Sequence, residues 1–333
     1  MENFPLDMVR AFFRSVTVEG ATPPYNTIHL KVYYPARRSG SEQENNLGII
    51  PPNREKAPFP VIIWFNGFNC SPDTYQWLAL DLVQRGFVFV TFAWVAENLP
   101  GVIALTPGVD VKMWSPDHYG TGVTASALPA LLEELETLQS EGMLAGYLDL
   151  QRVILGGHSA GGRVAIESAS QAYFPQLAGA FSYAAHTAVG TNLGYEAGTI
   201  LPLPDSLPVM LLGGTCDGVI ANSSHRYDTV WEDATTPIRR TFTEGLTGGR
   251  GDSYLMIIEG ANHFSVTYPH DSTTARAFLD FPATRSETEI RSLMVTLIGS
   301  FLEGHILQNQ DALTTIKTNL KSSSSLLSCG EFK

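Results

Sequence analysis

Residues 28–34 alternate apolar and polar side chains up to Pro35, the pattern of a strand with one wet face. Residues 61–65 and 87–92 do not alternate. Both runs are apolar and rich in β-branched and aromatic residues, which predicts strands covered on both faces. Between them, 75–85 has helical spacing. The pattern then repeats: helix over 126–139, strand over 152–155, helix over 160–171, strands over 180–184, 209–212 and 254–258, and a helix over 287–302. Strands alternating with helices predict an α/β domain, a mostly parallel twisted sheet flanked by helices on both faces. Such a sheet binds its ligand outside the carboxyl ends of its strands.

Three stretches break the pattern. Residues 37–58 are polar and hold Gly, Ser, Asn and Pro, so they read as an exposed loop. Residues 186–207 and 264–286 are long for plain connections and are expected to cover a pocket. From 308 onward, with the run Ser322 to Ser325, the chain reads as a disordered tail. A single catalytic domain over 1–307 is therefore expected.

Composition narrows the partners. With 44% hydrophobic and 16% charged residues the chain is ordinary globular material. Its net charge of -12 repels nucleic acid and anionic bilayers and points to a small neutral or apolar substrate. Cys70, Cys216 and Cys329 are an odd, sparse set without ligand spacing, so neither a disulfide framework nor a metal site is expected, and no cofactor. No apolar run reaches the ~20 residues of a membrane span, and residues 1–16 lack a secretory pattern. A cytoplasmic protein without stable membrane insertion is expected; its oligomeric state is left open.

The chemistry concentrates after three of the predicted strands. Strand 152–155 runs into Gly156-Gly157-His158-Ser159-Ala160-Gly161-Gly162 and then a helical run, which is Gly-x-Ser-x-Gly in a strand, turn, helix setting. Glycines two before and two after the serine suit a turn too tight for side chains. Ser159 is the expected nucleophile. Its partners should follow in the order acid, then histidine, each after a later strand. Asp217 follows 209–212, although an aspartate before glycine is also ordinary turn chemistry. His263 follows 254–258 and takes the role of general base; His270, after the same strand, is the runner-up. One oxyanion donor is expected from the backbone N–H of Ala160. The second should come from Phe68 in the turn Asn66-Gly67-Phe68-Asn69-Cys70 after 61–65. Asn66, Trp94, His158, His186 and Phe264 are candidates for the substrate pocket, with Tyr195 as a further aromatic in its loops.

These residues resemble the α/β-hydrolase superfamily, and within it the branch of dienelactone hydrolases, cutinase-like polyester hydrolases and chlorophyllases. The resemblance covers about 61–304. Its most specific pieces are Gly157 to Gly162, the Asn66-Gly67-Phe68 turn and Gly260-Ala261-Asn262-His263-Phe264. It implies an α/β-hydrolase fold and a serine esterase with the triad Ser159, Asp217 and His263 and oxyanion donors at Phe68 and Ala160. The chain departs from the branch at Asn66, where members usually have His, and at Ala160, where plant chlorophyllases carry Arg. It also has a serine where strict dienelactone hydrolases have a cysteine. The expected activity is hydrolysis of lipophilic carboxylic esters, in the manner of a chlorophyllase or a general carboxylesterase. Polyester hydrolysis, thioester cleavage and acyl transfer on the same triad stand as alternatives, as does a non-catalytic binding protein on this scaffold.

Overall fold

A computed structural model describes residues 7–99, 101–321 and 326–333. In chain order its main elements are β1 (Asp7–Thr17), β2 (Thr27–Arg37), α1 (Glu42–Leu47), β3 (Phe59–Phe65), α2 (Gln76–Gln84), β4 (Val88–Leu99), β5 (Val102–Leu105), α3 (Leu128–Ser140), β6 (Leu148–His158), α4 (Ser159–Glu167), β7 (Leu177–Tyr183), β8 (Val209–Gly214), α5 (Gly218–Ala221), α6 (Thr236–Arg240), β9 (Ser253–Ile258), α7 (Glu287–His305), α8 (Gln310–Lys321) and β10 (Leu327–Phe332). The strands form one sheet in the order β1-β2-β4-β3-β6-β7-β8-β9-β10, with β5 paired to β4. From β4 through β9 the neighbours are parallel; β1, β2 and β10 add antiparallel margins.

The apolar runs explain the centre. Every residue of β3, β8 and β9 is buried, so both faces of the sheet are covered. The flanking helices supply the cover: α2 packs on β2 and β4, α3 on β1 and β6, α4 on β6 and β7, and α7 against α2. Trp64 sits at the hub, with ring centroids 5.2 Å from Tyr75 and 5.7 Å from Phe181. No helix among the described residues is long and apolar enough to cross a membrane.

Four expectations are corrected. The strand expected to stop at Pro35 continues to Arg37, because pairing with β4 ends at Tyr33 and Pro35 has only β1 as a full neighbour. The chain at 51–53 covers the vacated edge through Arg37 N–H to Pro51 O and Asn53 N–H to Pro35 O. For the same reason 37–58 is not simply an exposed loop: it contains α1, and Glu44, Ile50 and Asn53 are buried. The helix expected over 160–171 ends at Glu167, where the Ser168 hydroxyl instead accepts the Thr124 and Ala125 N–H groups.

The tail past 308 is the largest correction. In α8, Ala312 and Ile316 form a buried i, i+4 stripe against α7, and β10 pairs with β9, covering what would otherwise be a bare sheet edge. Ser322 to Ser325 lie outside the described residues.

Candidate active site

Ser159 stands where β6 becomes α4, with φ at 53°. A side-chain-bearing residue in that left-handed conformation costs about 1–2 kcal/mol, so the surroundings must hold it there. They do so through close backbone contact. A Cβ on Gly161 would lie 2.3 Å from the carbonyl oxygens of Phe65 and Asn66, and one on Gly157 would lie 2.6 Å from the Gly161 carbonyl. The first turn of α4 is thus pressed against the end of β3, which sets the Asn66–Cys70 turn beside the serine.

The acid and the histidine are joined in the same way. A Cβ on Gly214 would come within 2.1 Å of Ala261 O, so the end of β8 and the loop after β9 are in contact. Cys216 N–H donates to Ala261 O at 2.9 Å and Gly260 N–H to Thr215 Oγ1 at 2.8 Å. Asp217 then reaches His263. Its Oδ2 is 2.8 Å from Nδ1, and its Oδ1 accepts the Ile220 N–H at 2.8 Å. A carboxylate only accepts, so Nδ1 carries the proton and Nε2 faces Ser159 Oγ, 3.0 Å away, as an acceptor. Asp217 is fully buried and His263 is 4% exposed.

In the turn after β3, Gly67 N–H donates to Tyr75 Oη, Asn69 N–H to Leu105 O and Cys70 N–H to Gly67 O. The Phe68 N–H has no acceptor among the described residues. The Ala160 N–H lies in the first turn of α4, where no intrahelical acceptor is in reach. Asn66 is fully buried; its Nδ2 braces the turn by donating to Gly67 O at 3.0 Å and Cys70 O at 3.1 Å.

Behind Ser159, His263 and Asp217 runs a buried relay. A carbonyl only accepts, so His158 Nε2–H donates to His263 O at 3.0 Å; the other nitrogen, Nδ1, accepts from the Tyr75 hydroxyl at 2.9 Å, and that hydroxyl's oxygen accepts the Gly67 N–H at 3.1 Å. Burial and the neighbouring His263 hold His158 well below the usual histidine range, so it stays neutral. Tyr183 Oη donates to Asn262 O. Asp280 accepts from Gly218 N–H at 2.9 Å and from His263 and Phe264 N–H at 3.3 Å; burial, then nearby Asp217, raises its pKa.

Two cavities of about 640 and 650 Å³ share Ser159, Ala160 and His263 in their walls. His186 lines the first; Phe68, His158 and Phe264 line the second. The long segments contribute walls, residues 188–193 to the first cavity and Ala275, Arg276 and Leu279 to the second. Burial, with the positive charge of Arg163 next, pushes His186 down to about 3.

Three expected pocket residues are elsewhere. Asn66 is a buried brace, as above. Trp94 donates Nε1–H to Tyr25 O at 2.8 Å on the extension of β4, where its ring covers Gly108. Tyr195 lines neither cavity. The alternative base His270 is exposed, its ring 6.0 Å from Phe264, while His263 occupies the place beside Ser159. Sequence reasoning missed Tyr75, Tyr183 and Asp280. Tyr183 ends β7 and Tyr75 leads into α2, where each reads as core packing, and Asp280 is one acid of a long loop.

No family model matches the chain, and no curated protein matches it.

Proposed function

We propose that the chain is a serine hydrolase of the α/β-hydrolase fold that cleaves carboxylic esters. The observation that carries this reading is the linear set Ser159 Oγ, His263 Nε2 and Nδ1, Asp217 Oδ2, with contacts of 3.0 and 2.8 Å, facing two unspent backbone donors across a cavity. Ser159 Oγ attacks the ester carbonyl as its proton passes to His263 Nε2. The carbonyl oxygen takes up negative charge between the Phe68 and Ala160 N–H groups, each worth about 3 kcal/mol to the transition state. The C–O bond to the alcohol breaks, the alcohol leaves with the proton from Nε2, and an acyl-serine remains. Water, deprotonated by Nε2, attacks that acyl group; the acid departs and Ser159 regains its proton. Asp217 stays ionised and steadies the imidazolium.

The apolar walls favour a lipophilic ester, and the chambers walled by 188–193 and 275–279 favour a soluble or membrane-derived molecule over a flat polymer. A reducing, cytoplasmic setting belongs to the same proposal and rests on the sparse cysteines. The test is labelling with a fluorophosphonate and turnover of a graded ester panel. Ser159 should carry the label, and Ser159→Ala and His263→Ala should each lose about a million-fold in kcat, as for comparable triads. Label at another residue, or substantial turnover by Ser159→Ala, would overturn the reading.

A further inference from the structure

The two chambers reverse the charge balance of the chain. Overall, acidic residues outnumber basic ones, 33 to 21. Elsewhere among the described residues most arginines pair with carboxylates, among them Arg85 with Asp81 and Glu303, Arg240 with Glu244, and Arg291 with Glu287, while Arg10, Arg54 and Arg285, which do not, are exposed and lie outside the chambers. Arg226 and Arg276 differ. Both line both chambers, together with Ser159 and His263, and neither has a carboxylate partner among the described residues. Arg276 Nη1 donates to Ser223 Oγ at 2.7 Å; the Arg226 side chain makes no hydrogen bond among the described residues. Of the residues lining the chambers, Asp228 alone is acidic. It stands in the first chamber and is already engaged by Thr191, whose N–H and O–H donate to it at 2.9 and 2.6 Å.

A third cation lines the first chamber. Arg163 is 7% exposed, pairs with Glu167 at 2.8 Å and lies 4.0 Å over the Trp114 ring, yet its Nη2 has no partner among the described residues. Burial, then repulsion from Arg226, lowers the pKa of Arg276. Asp217 acts on Arg276 only at a distance, and like charges held beside a cleft with no carboxylate in contact are costly, a cost that a bound anion offsets. Guanidinium forks match the two oxygens of a carboxylate.

We infer that the substrate is an ester bearing its own carboxylate, held by Arg226 and Arg276 while the ester carbonyl lies at Ser159. The inference rests on the hydrolase reading and names the substrate class of that site. The rest of such a molecule is apolar, as the other cavity walls require, and one anionic end fixes which way it lies.

The experiment compares mono-p-nitrophenyl adipate with its methyl ester, which has the same chain and no charge; glutarate and suberate pairs cover shorter and longer reach. In at least one pair, kcat/KM should favour the carboxylate by about tenfold or more, and added salt should reduce that preference. The ratio should fall to about one in the Arg226→Gln, Arg276→Gln double variant, as expected for a lost charge-assisted contact. Arg54→Gln, which removes an exposed arginine far from the chambers, should keep the wild-type ratio. A neutral ester preferred at all three lengths, or a preference that survives the double variant, overturns the inference and leaves the hydrolase reading standing. Calorimetry of monomethyl adipate on the Ser159→Ala protein is independent of turnover. Binding should occur and should weaken about tenfold in a background that also carries Arg276→Gln. Should no ester be cleaved and no serine be labelled, the hydrolase reading falls and this binding decides the anion site alone; absence of binding, or binding indifferent to Arg276, overturns it.

Discussion

The turn at Ser159 is held in place by missing side chains, whereas the loop that carries His263 is held by buried hydrogen bonds. At the turn, Gly157 and Gly161 let three stretches of backbone meet where any Cβ would collide. At the loop, His158, Tyr183 and Asp280 reach in from separate elements to the carbonyls and N–H groups of 262–264. Steric exclusion is rigid and indifferent to pH. A hydrogen-bonded mount is adjustable residue by residue, and it depends on each partner keeping its protonation state.

The sharpest break falls on the steric side. Gly161→Ala puts a methyl group 2.3 Å from two carbonyl oxygens of the β3 end. Backbone must move, at a cost of about 3 kcal/mol or more, and the movement separates the Phe68 and Ala160 N–H groups. Urea unfolding should register the loss and ester turnover should become undetectable. Near-normal activity would mean that the turn is not set by this contact.

Asp217→Asn tests the hydrogen-bonded side at its centre. The shape is preserved, but an amide beside Nδ1 can present N–H and so favour the wrong tautomer of His263. We expect kcat to fall about 10³–10⁴-fold while stability changes little. A loss under tenfold would assign the orienting role elsewhere, with Asp280, which already accepts the His263 N–H, the next candidate.

The same contrast explains what the sequence revealed. Glycine spacing around Ser159 is written in five consecutive residues, because steric exclusion acts between near neighbours. Asp217 and His263 could be placed by their order after strands. Asn66 and Trp94 were misread as pocket residues because a position near the carboxyl end of a strand says nothing of which way a side chain is braced. The relay through Tyr75, His158 and His263 spans 188 positions and leaves no local spacing. The margins failed for a related reason. Strands β1 and β10 earn their place by covering sheet edges, and an edge exists only once the sheet has formed. The charge pattern of the cleft was illegible too, since Arg226 and Arg276 meet across 50 residues of chain.

Tyr75→Phe should have a middling effect. It removes one hydroxyl but leaves two buried groups unserved, the Gly67 N–H and His158 Nδ1. Stability should fall by about 2–3 kcal/mol, and kcat by about tenfold, as the Phe68 donor and the His263 loop lose a shared support. A fall in stability with wild-type kcat would make the relay a folding element only.

The smallest effect separates the two mounts by pH. His158 is buried and neutral in the folded protein, its pKa well below the ordinary 6.5, and His186 lies at about 3. Unfolded, both titrate near 6.5. Above that value neither state binds the extra protons and stability is full. As pH falls below 6.5 the unfolded chain takes up protons that the folded one refuses, so stability is lost toward the folded-state pKa values, by about 1.4 kcal/mol per pH unit for each histidine. His158→Gln keeps a donor and an acceptor and removes one titration. It should be less stable than wild type by about 1–2 kcal/mol at pH 7.5, yet lose stability on acidification about half as steeply, so that the two curves meet roughly one pH unit below 6.5. Gly162→Ala, strained at the turn by a Cβ 2.9 Å from Gly157 O, touches no titrating group and should run parallel to wild type at every pH. Urea titrations between pH 7.5 and 5 decide it. If His158→Gln kept the wild-type slope, His158 would be taking up its proton in the folded protein, and the hydrogen bond it donates to His263 O could not be what holds that loop apart from pH.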